Sequence, residues 1–144
     1  MLPLARERAV AFWRLVARDV EAGERVLLVA EDAEGICGTV QLVPAGFENQ
    51  PHLADLAKML VHRRMRRRGL GEALVRAAEA TAVEIDRPVL VLDAVTGGDA
   101  ERLYERLGWI RVGPVPDFAL MPDGAFSSTT FMYRDLRKGD SART

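Results

Sequence analysis

The junction Val61–Gly71, VHRRMRRRGLG, constrains this chain more than any other stretch. An apolar run, Leu53–Val61, leads into it, and a pattern with helical spacing, Leu70–Ile85, leads out. Between them stands Arg66-Arg67-Arg68-Gly69-Leu70-Gly71. A strand, a glycine-bearing turn and a helix start, in that order, make an anion cradle. The first N–H groups of a helix have no intrahelical partners, and the helix dipole favours negative charge there. Glycines at 69 and 71 remove the Cβ atoms that would hold a pyrophosphate away, and the arginines add positive potential. The spacing is not that of a P-loop, because no Gly-Lys-Ser/Thr follows. It is not the Rossmann fingerprint either, because Leu74 stands where a third glycine belongs. Without its flanks, the run of five arginines within Arg63–Arg68 reads equally as a solvated face, a nucleic-acid patch or a targeting signal.

Composition narrows those alternatives. A chain of 144 residues that is 49% apolar can bury a proper core, and one domain over residues 1–144 is expected. The net charge of −1 leaves the basic run local, whereas a dedicated nucleic-acid binder carries a surplus. No stretch reaches about 18 consecutive apolar residues, and the N-terminus has no apolar signal core, so no membrane partner is expected. A lone cysteine, Cys37, fits a reducing cytoplasm and reads as a small buried residue. His52 and His62 are the only histidines, so no metal site is expected.

The elements follow from periodicity. Leu4–Ala22 reads as an amphipathic helix with Ala9, Phe12, Trp13, Val16 and Val20 inward, stopped by Gly23. Arg25–Glu31 and Ile36–Val43 read as a hairpin, and His52–Val61 as the central strand. The loop Pro44–Pro51 carries Phe47, Glu48 and Asn49, which read equally as substrate contacts or as plain loop residues. The helix Leu70–Ile85 places Leu70, Leu74, Ala77, Ala78, Thr81 and Ile85 on one side. Val89–Val95 is apolar throughout, as a strand covered on both faces is. Thr96 or Asp99 is expected to cap the short helix Ala100–Leu107, which Gly108 ends. A strand Trp109–Val115 follows; Pro114, Pro116, Pro122 and Gly124 break up the next stretch. Thr129–Leu136 is a last strand, and Lys138–Thr144 a polar tail. The order α-β-β-β-α-β-α-β-β implies α/β layers with antiparallel neighbours at the ends.

Two segments together carry a family resemblance: Arg66-x-x-Gly69-x-Gly71 after a strand, and Ala100-Glu-Arg-Leu-Tyr-Glu-Arg-Leu-Gly-Trp109. The chain resembles the Gcn5-related (GNAT) N-acetyltransferases from about residue 4 to residue 137. More loosely, Val115–Gly124 with Thr129–Tyr133 resembles a bacterial branch that includes tabtoxin-resistance acetyltransferases. The resemblance implies an α/β fold with a mixed sheet splayed between the family's fourth and fifth strands, and acetyl-CoA in the gap. Family members begin with one further strand and helix. Here Met1 opens on what looks like the family's second helix, which leaves an edge for a second copy to cover as a homodimer.

The resemblance assigns the cofactor to the cradle, Arg66, Arg67, Arg68, Gly69, Leu70, Gly71 and Glu72, and to the main chain of Met59, Leu60 and Val61. It places Tyr104 near the cofactor sulfur as proton donor; the plain reading of the same residue is a core tyrosine. The base is open between Asp55 and Asp93, each on a strand beside the expected gap. Asp55 has Lys58 as an ordinary partner, and Asp93 could cap a loop or pair with an arginine. Glu48 and His62 are weaker candidates, and Asp117 and Asp123 read as turn formers. The function implied is transfer of an acetyl group from acetyl-CoA to a primary amine of a small molecule, by direct attack in a ternary complex. The competing reading is a non-catalytic CoA-sensing or partner-binding module.

Overall fold

A computed structural model describes residues 6–138; the expected helix start at Leu4 and the tail beyond Lys138 lie outside them. The elements are α1 (Arg6–Glu21), β1 (Val26–Asp32), β2 (Gly35–Pro44), β3 (Leu53–Val61), α2 (Leu70–Glu84), β4 (Val89–Val95), α3 (Asp99–Arg106), β5 (Ile110–Leu120) and β6 (Phe126–Asp135). A single 3-10 turn, Arg63–Met65, lies between β3 and α2. The strands form one mixed sheet in the order β1-β2-β3-β4-β6-β5, in which only β3 and β4 run parallel.

The period of two along each strand builds the core. Val40 and Leu42 of β2, Ala54 and Leu56 of β3, Leu90, Leu92 and Ala94 of β4, and Met132 of β6 all turn to one face. There they meet Leu74, Val75, Ala78 and Ala82 of α2, together with Tyr104, Leu107 and Trp109. Each fully buried leucine, such as Leu42 or Leu90, contributes about 1.5–3 kcal/mol by leaving water. Gly38 of β2 lets α2 lie this close, because a Cβ there would stand 2.9 Å from Leu74 Cδ1.

The buried stripe of α2 differs from the expected one. Ala77 is exposed, and Glu79 turns inward at 6% exposure. A buried carboxylate needs partners, and Glu79 has three. Its Oε2 lies 3.1 Å from Trp109 Nε1 and 3.0 Å from Arg134 Nε, and its Oε1 accepts from Arg76 Nη1 at 2.9 Å. Arg134 and Arg76 also donate to the Leu107 carbonyl. This lock joins α2, β6 and the C-terminal end of α3.

α1 lies on the opposite face. Gln41 points there, since it alternates with Val40 and Leu42, and it is fully buried. Its Oε1 accepts from Arg25, which also pairs with Asp19 of α1 at 3.1 Å. Of the expected inward stripe only Val16 is buried; Ala9, Phe12 and Trp13 are half-buried and Val20 is exposed. The burial of Phe12 and Trp13 is therefore partial. They stack edge to face, and Lys58 Nζ lies 5.4 Å from the Phe12 ring.

The prolines do not end the C-terminal strand. β5 runs through Pro114 and Pro116 to Leu120 and forms a long antiparallel ribbon with β6, which starts at Phe126. β5 is an edge strand, where a missing N–H costs no ladder bond on the open side.

What positions the site is a parting of strands. β3 and β4 pair only at Leu53↔Val89, Ala54↔Leu90 and Asp55↔Val91; beyond these, Leu56–Val61 and Leu92–Val95 diverge. A bulge in β3 accompanies the parting. The register with β2 shifts between Thr39 and Gln41, and Lys58 takes a φ of 53°.

Candidate functional site

The cradle stands at the C-terminal end of β3. His62 Nδ1 accepts from the Arg64 amide and starts the 3-10 turn, so His62 serves the turn itself. Arg67 and Gly69 both take left-handed conformations, at φ 64° and 76°. This reverses the chain and starts α2 with Gly69 as its N-cap, without a side-chain cap. The first helical bond is Ala73 N–H to the Gly69 carbonyl, 3.1 Å. Among the described residues, the amides of residues 67 to 72 donate to no protein acceptor. Such amides at a helix start, beside arginines, bind an anion through N–H groups and dipole together.

The two glycines act differently. A Cβ on Gly69 would meet nothing within 4 Å, so it would project into open space at the mouth. A Cβ on Gly71 would come within 3.1 Å of Leu103 Cδ2 and 4.0 Å of Met59 Cε, where α2 packs onto α3 and β3. Of the arginines, Arg64 is committed to the β1–β2 turn: it pairs with Asp32 at 2.9 Å and Glu34 at 3.1 Å. The Arg64 guanidinium holds the Asp32 carboxyl below its usual range. Arg66, Arg67 and Arg68 remain exposed around the mouth.

The gap continues from the cradle. His62 N–H donates to the Cys37 carbonyl, so the alternation of the ladder gives Leu60 to β2 and turns Val61 the other way, toward β4. Thr96 N–H donates to Ser128, so the Val95 amide turns from β6 toward β3 in the same manner. Met59 has no partner in the β2 register. An open cavity of about 240 Å³, lined by Ile36, Cys37, Gly38, Leu60, Val61 and His62, adjoins this end of β3. Cys37 is buried, its Sγ 3.4 Å from the Ala30 carbonyl.

Tyr104 of α3 belongs to the core face, with its ring 5.4 Å from that of Trp109 and 4% exposure. Burial pushes its phenol up to about 12. Among the described residues its hydroxyl makes no hydrogen bond, and that oxygen is not among the fully sealed, unpaired ones. α3 itself starts differently from expectation. Gly98 is the N-cap, and Glu101 reaches back to accept from the Gly97 amide at 2.6 Å. Asp99 pairs with Arg102, and Thr96 with Ser128 and Thr130.

Asp55 and Asp93 meet across the gap on the face away from α2. Asp55 pairs in register with Val91, and Asp93 lies two residues further along the same face of β4. Burial raises the Asp55 carboxyl above its usual range, and the Asp93 charge raises it further. Asp55 makes no ion pair with Lys58, which lies over the Phe12 ring instead. Among the described residues Asp93 neither caps a loop nor meets an arginine. Its Oδ2 accepts from the Thr129 hydroxyl at 2.8 Å. Thr129 carried no local signal in the sequence; only the β4–β6 register brings it to Asp93.

The loop with Phe47, Glu48 and Asn49 lies elsewhere. The Ala45 amide bonds to Leu53 at the start of β3, and Arg87 Nη1 holds the Ala45, Gln50 and Leu53 carbonyls. That is the end of β3 opposite the cradle. Asp123 Oδ1 accepts from Ala125 in the β5–β6 turn, as a turn former does. Among the described residues no group of three or more His, Cys, Asp or Glu is placed to hold a metal, and no helix is long and apolar enough to cross a membrane.

The same fold occurs in known proteins. A family model described as an acetyltransferase (GNAT) domain matches residues 23–111. A ribosomal-protein-alanine N-acetyltransferase from Brucella melitensis superposes with a TM-score of 0.76 at 23% identity, over 88% of this chain and 77% of that one. A GCN5-related N-acetyltransferase from Kribbella flavida gives 0.68 at 27% identity, over 78% and 68%. The Salmonella typhimurium protein yncA, solved with its cofactor acetyl-CoA, gives 0.75 at 20% identity, over 94% and 76%.

Proposed function

The chain belongs to the GNAT family of acetyl-CoA-dependent N-acetyltransferases, and from that premise we propose that it acetylates a primary amine of a small molecule by direct attack, with the cofactor in the β3–β4 gap and the amine on the Asp55–Asp93 face. The observation that carries this reading is the set of partnerless amides at residues 67 to 72, opening beside a gap between strands.

The residues present fit acetyl-CoA. The cradle amides of Arg67, Arg68, Gly69, Leu70, Gly71 and Glu72 match a diphosphate, and the Arg66, Arg67 and Arg68 side chains offset its charge. The gap-facing main chain of Met59 and Val61 matches the amide groups of a pantetheine arm. When bound, the cofactor supplies an acyl group as a thioester and leaves as a thiol.

The chain's own groups do the rest. Asp55 and Asp93 attract the amine as a cation to the gap. Asp55, with its carboxyl raised above the ordinary aspartate range, takes up the proton that the amine must lose before it can attack. The Tyr104 hydroxyl keeps its proton throughout the physiological range. With the phenol at about 12, against about 8.5 for an ordinary thiol, it serves first as a hydrogen-bond donor to negative charge on the sulfur side. The two carboxylates favour basic amines.

The test is thiol release by the purified chain with acetyl-CoA and a panel of amines, run beside calorimetric titration with CoA. Turnover with at least one amine is expected. Tight CoA binding with no thiol release from any amine would establish the non-catalytic module instead.

A further inference from the structure

We infer that Thr129 is a positioning residue for the acceptor side: its hydroxyl fixes the Asp93 carboxylate on the face it shares with Asp55, and so sets where the amine is received. This rests on the reading of Asp93 given above.

Thr129 is 4% exposed, on β6. Val95↔Thr129 and Asp93↔Phe131 are ladder pairs, so Thr129 stands diagonally across from Asp93 on the same face. Its Oγ1 lies 2.8 Å from Asp93 Oδ2 and 3.1 Å from the Ala94 carbonyl. A hydroxyl has one proton to give, and the nearer, charged acceptor takes it. Among the described residues Asp93 accepts no other hydrogen bond and has no ion pair. The orientation of its side chain is therefore set by this one contact. A buried β-branched residue is a stiff anchor for it. Oδ2 is committed and Oδ1 remains for an incoming cation. The next residue serves the other face: Thr130 Oγ1 lies 2.9 Å from Thr96 Oγ1 and 3.4 Å from Glu101 Oε2, at the start of α3.

Steady-state kinetics with both substrates varied, on Thr129→Val, Thr129→Ala, Thr129→Ser and Asp93→Asn, test the inference. Loss of the hydroxyl is expected to raise the amine KM about tenfold, the effect of one hydrogen bond to a charged group. The acetyl-CoA KM stays near that of the unaltered chain, the melting temperature falls by a few degrees with the lost buried hydrogen bond, and Thr129→Ser restores both the amine KM and the melting temperature. Thr129→Ala keeps the test open if the valine variant does not fold. An unchanged amine KM in both hydroxyl-free variants, with Asp93→Asn impaired, overturns the role of Thr129 and leaves that of Asp93 standing. An unimpaired Asp93→Asn overturns the reading of Asp93 itself. Parallel losses for both substrates with a lowered melting temperature, not restored by serine, reduce Thr129 to packing.

Discussion

Gly69→Ala separates the two demands placed on the cradle. Gly69 sits at φ 76°, a conformation that costs an L-residue about 1–2 kcal/mol. Nothing lies within 4 Å of the added Cβ, so strain is the whole cost to the free protein. At about 3–4 °C per kcal/mol near this chain length, the melting temperature should fall by about 3–8 °C. On the proposed reading the methyl group then stands where the diphosphate approaches. Loss of one charge-assisted hydrogen bond, about 1.5–3 kcal/mol, weakens CoA binding about ten- to a hundredfold. Gly124→Ala is the control. It has φ 87° and equally open surroundings, but lies in the β5–β6 turn. It should lose comparable stability and no CoA affinity. Calorimetric titration with CoA and with pantetheine, which lacks the diphosphate, completes the assay; pantetheine should bind both variants alike. If Gly69→Ala binds CoA as tightly as Gly124→Ala does, the amides of residues 67 to 72 do not hold the diphosphate.

Three further variants test the geometry. Tyr104→Phe should lower kcat about a hundredfold, the effect of removing one preorganised donor to developing charge, with CoA affinity and melting temperature unchanged, because its hydroxyl holds no partner among the described residues; rate and titration measurements check this. Asp55→Asn should remove the acidic limb of the pH profile of kcat/KM, a limb expected above the ordinary aspartate range since burial and Asp93 both raise Asp55. The sign for stability is opposite to that of a paired carboxylate. A raised Asp55 stabilises most below its unfolded pKa and loses that contribution as pH rises through its folded one, so Asp55→Asn should melt slightly higher at neutral pH, read by thermal unfolding. Glu79→Gln weakens the lock that Arg76, Trp109 and Arg134 share, which costs about 1.5–3 kcal/mol, the worth of a hydrogen bond to a charged group, and lowers the melting temperature by about 5–12 °C in calorimetry.

The cradle was legible because its chemistry is local: glycine conformation, helix start and strand end lie within a dozen residues of one another. The order of elements was legible for the same reason, since periodicity is a short-range signal. What periodicity does not carry is which surface a face meets. The α1 stripe has the right spacing, yet only Val16 reaches full burial. Glu79 reads as a solvent-facing helix residue until Arg134 arrives from β6 and Trp109 from the turn before β5. Pro114 and Pro116 read as strand breakers because the sequence does not say that their strand is at the edge. Asp55 and Asp93 were both visible as carboxylates on strands beside the expected gap. Their meeting across the gap, and the tie of Asp93 to Thr129, depend on sheet register, which tertiary pairing decides.

The short β3–β4 ladder also bears on mechanics. Three register pairs join one half of the sheet, β1-β2-β3, to the other, β4-β6-β5. A pantetheine arm laid along Val61 and Val95 would act as a surrogate strand, splinting the two halves through the same amide bonding that a peptide uses when it augments a sheet. Ligation and rigidity are then one event, and amide exchange at Val61 and Val95 should slow together when the splint is in place.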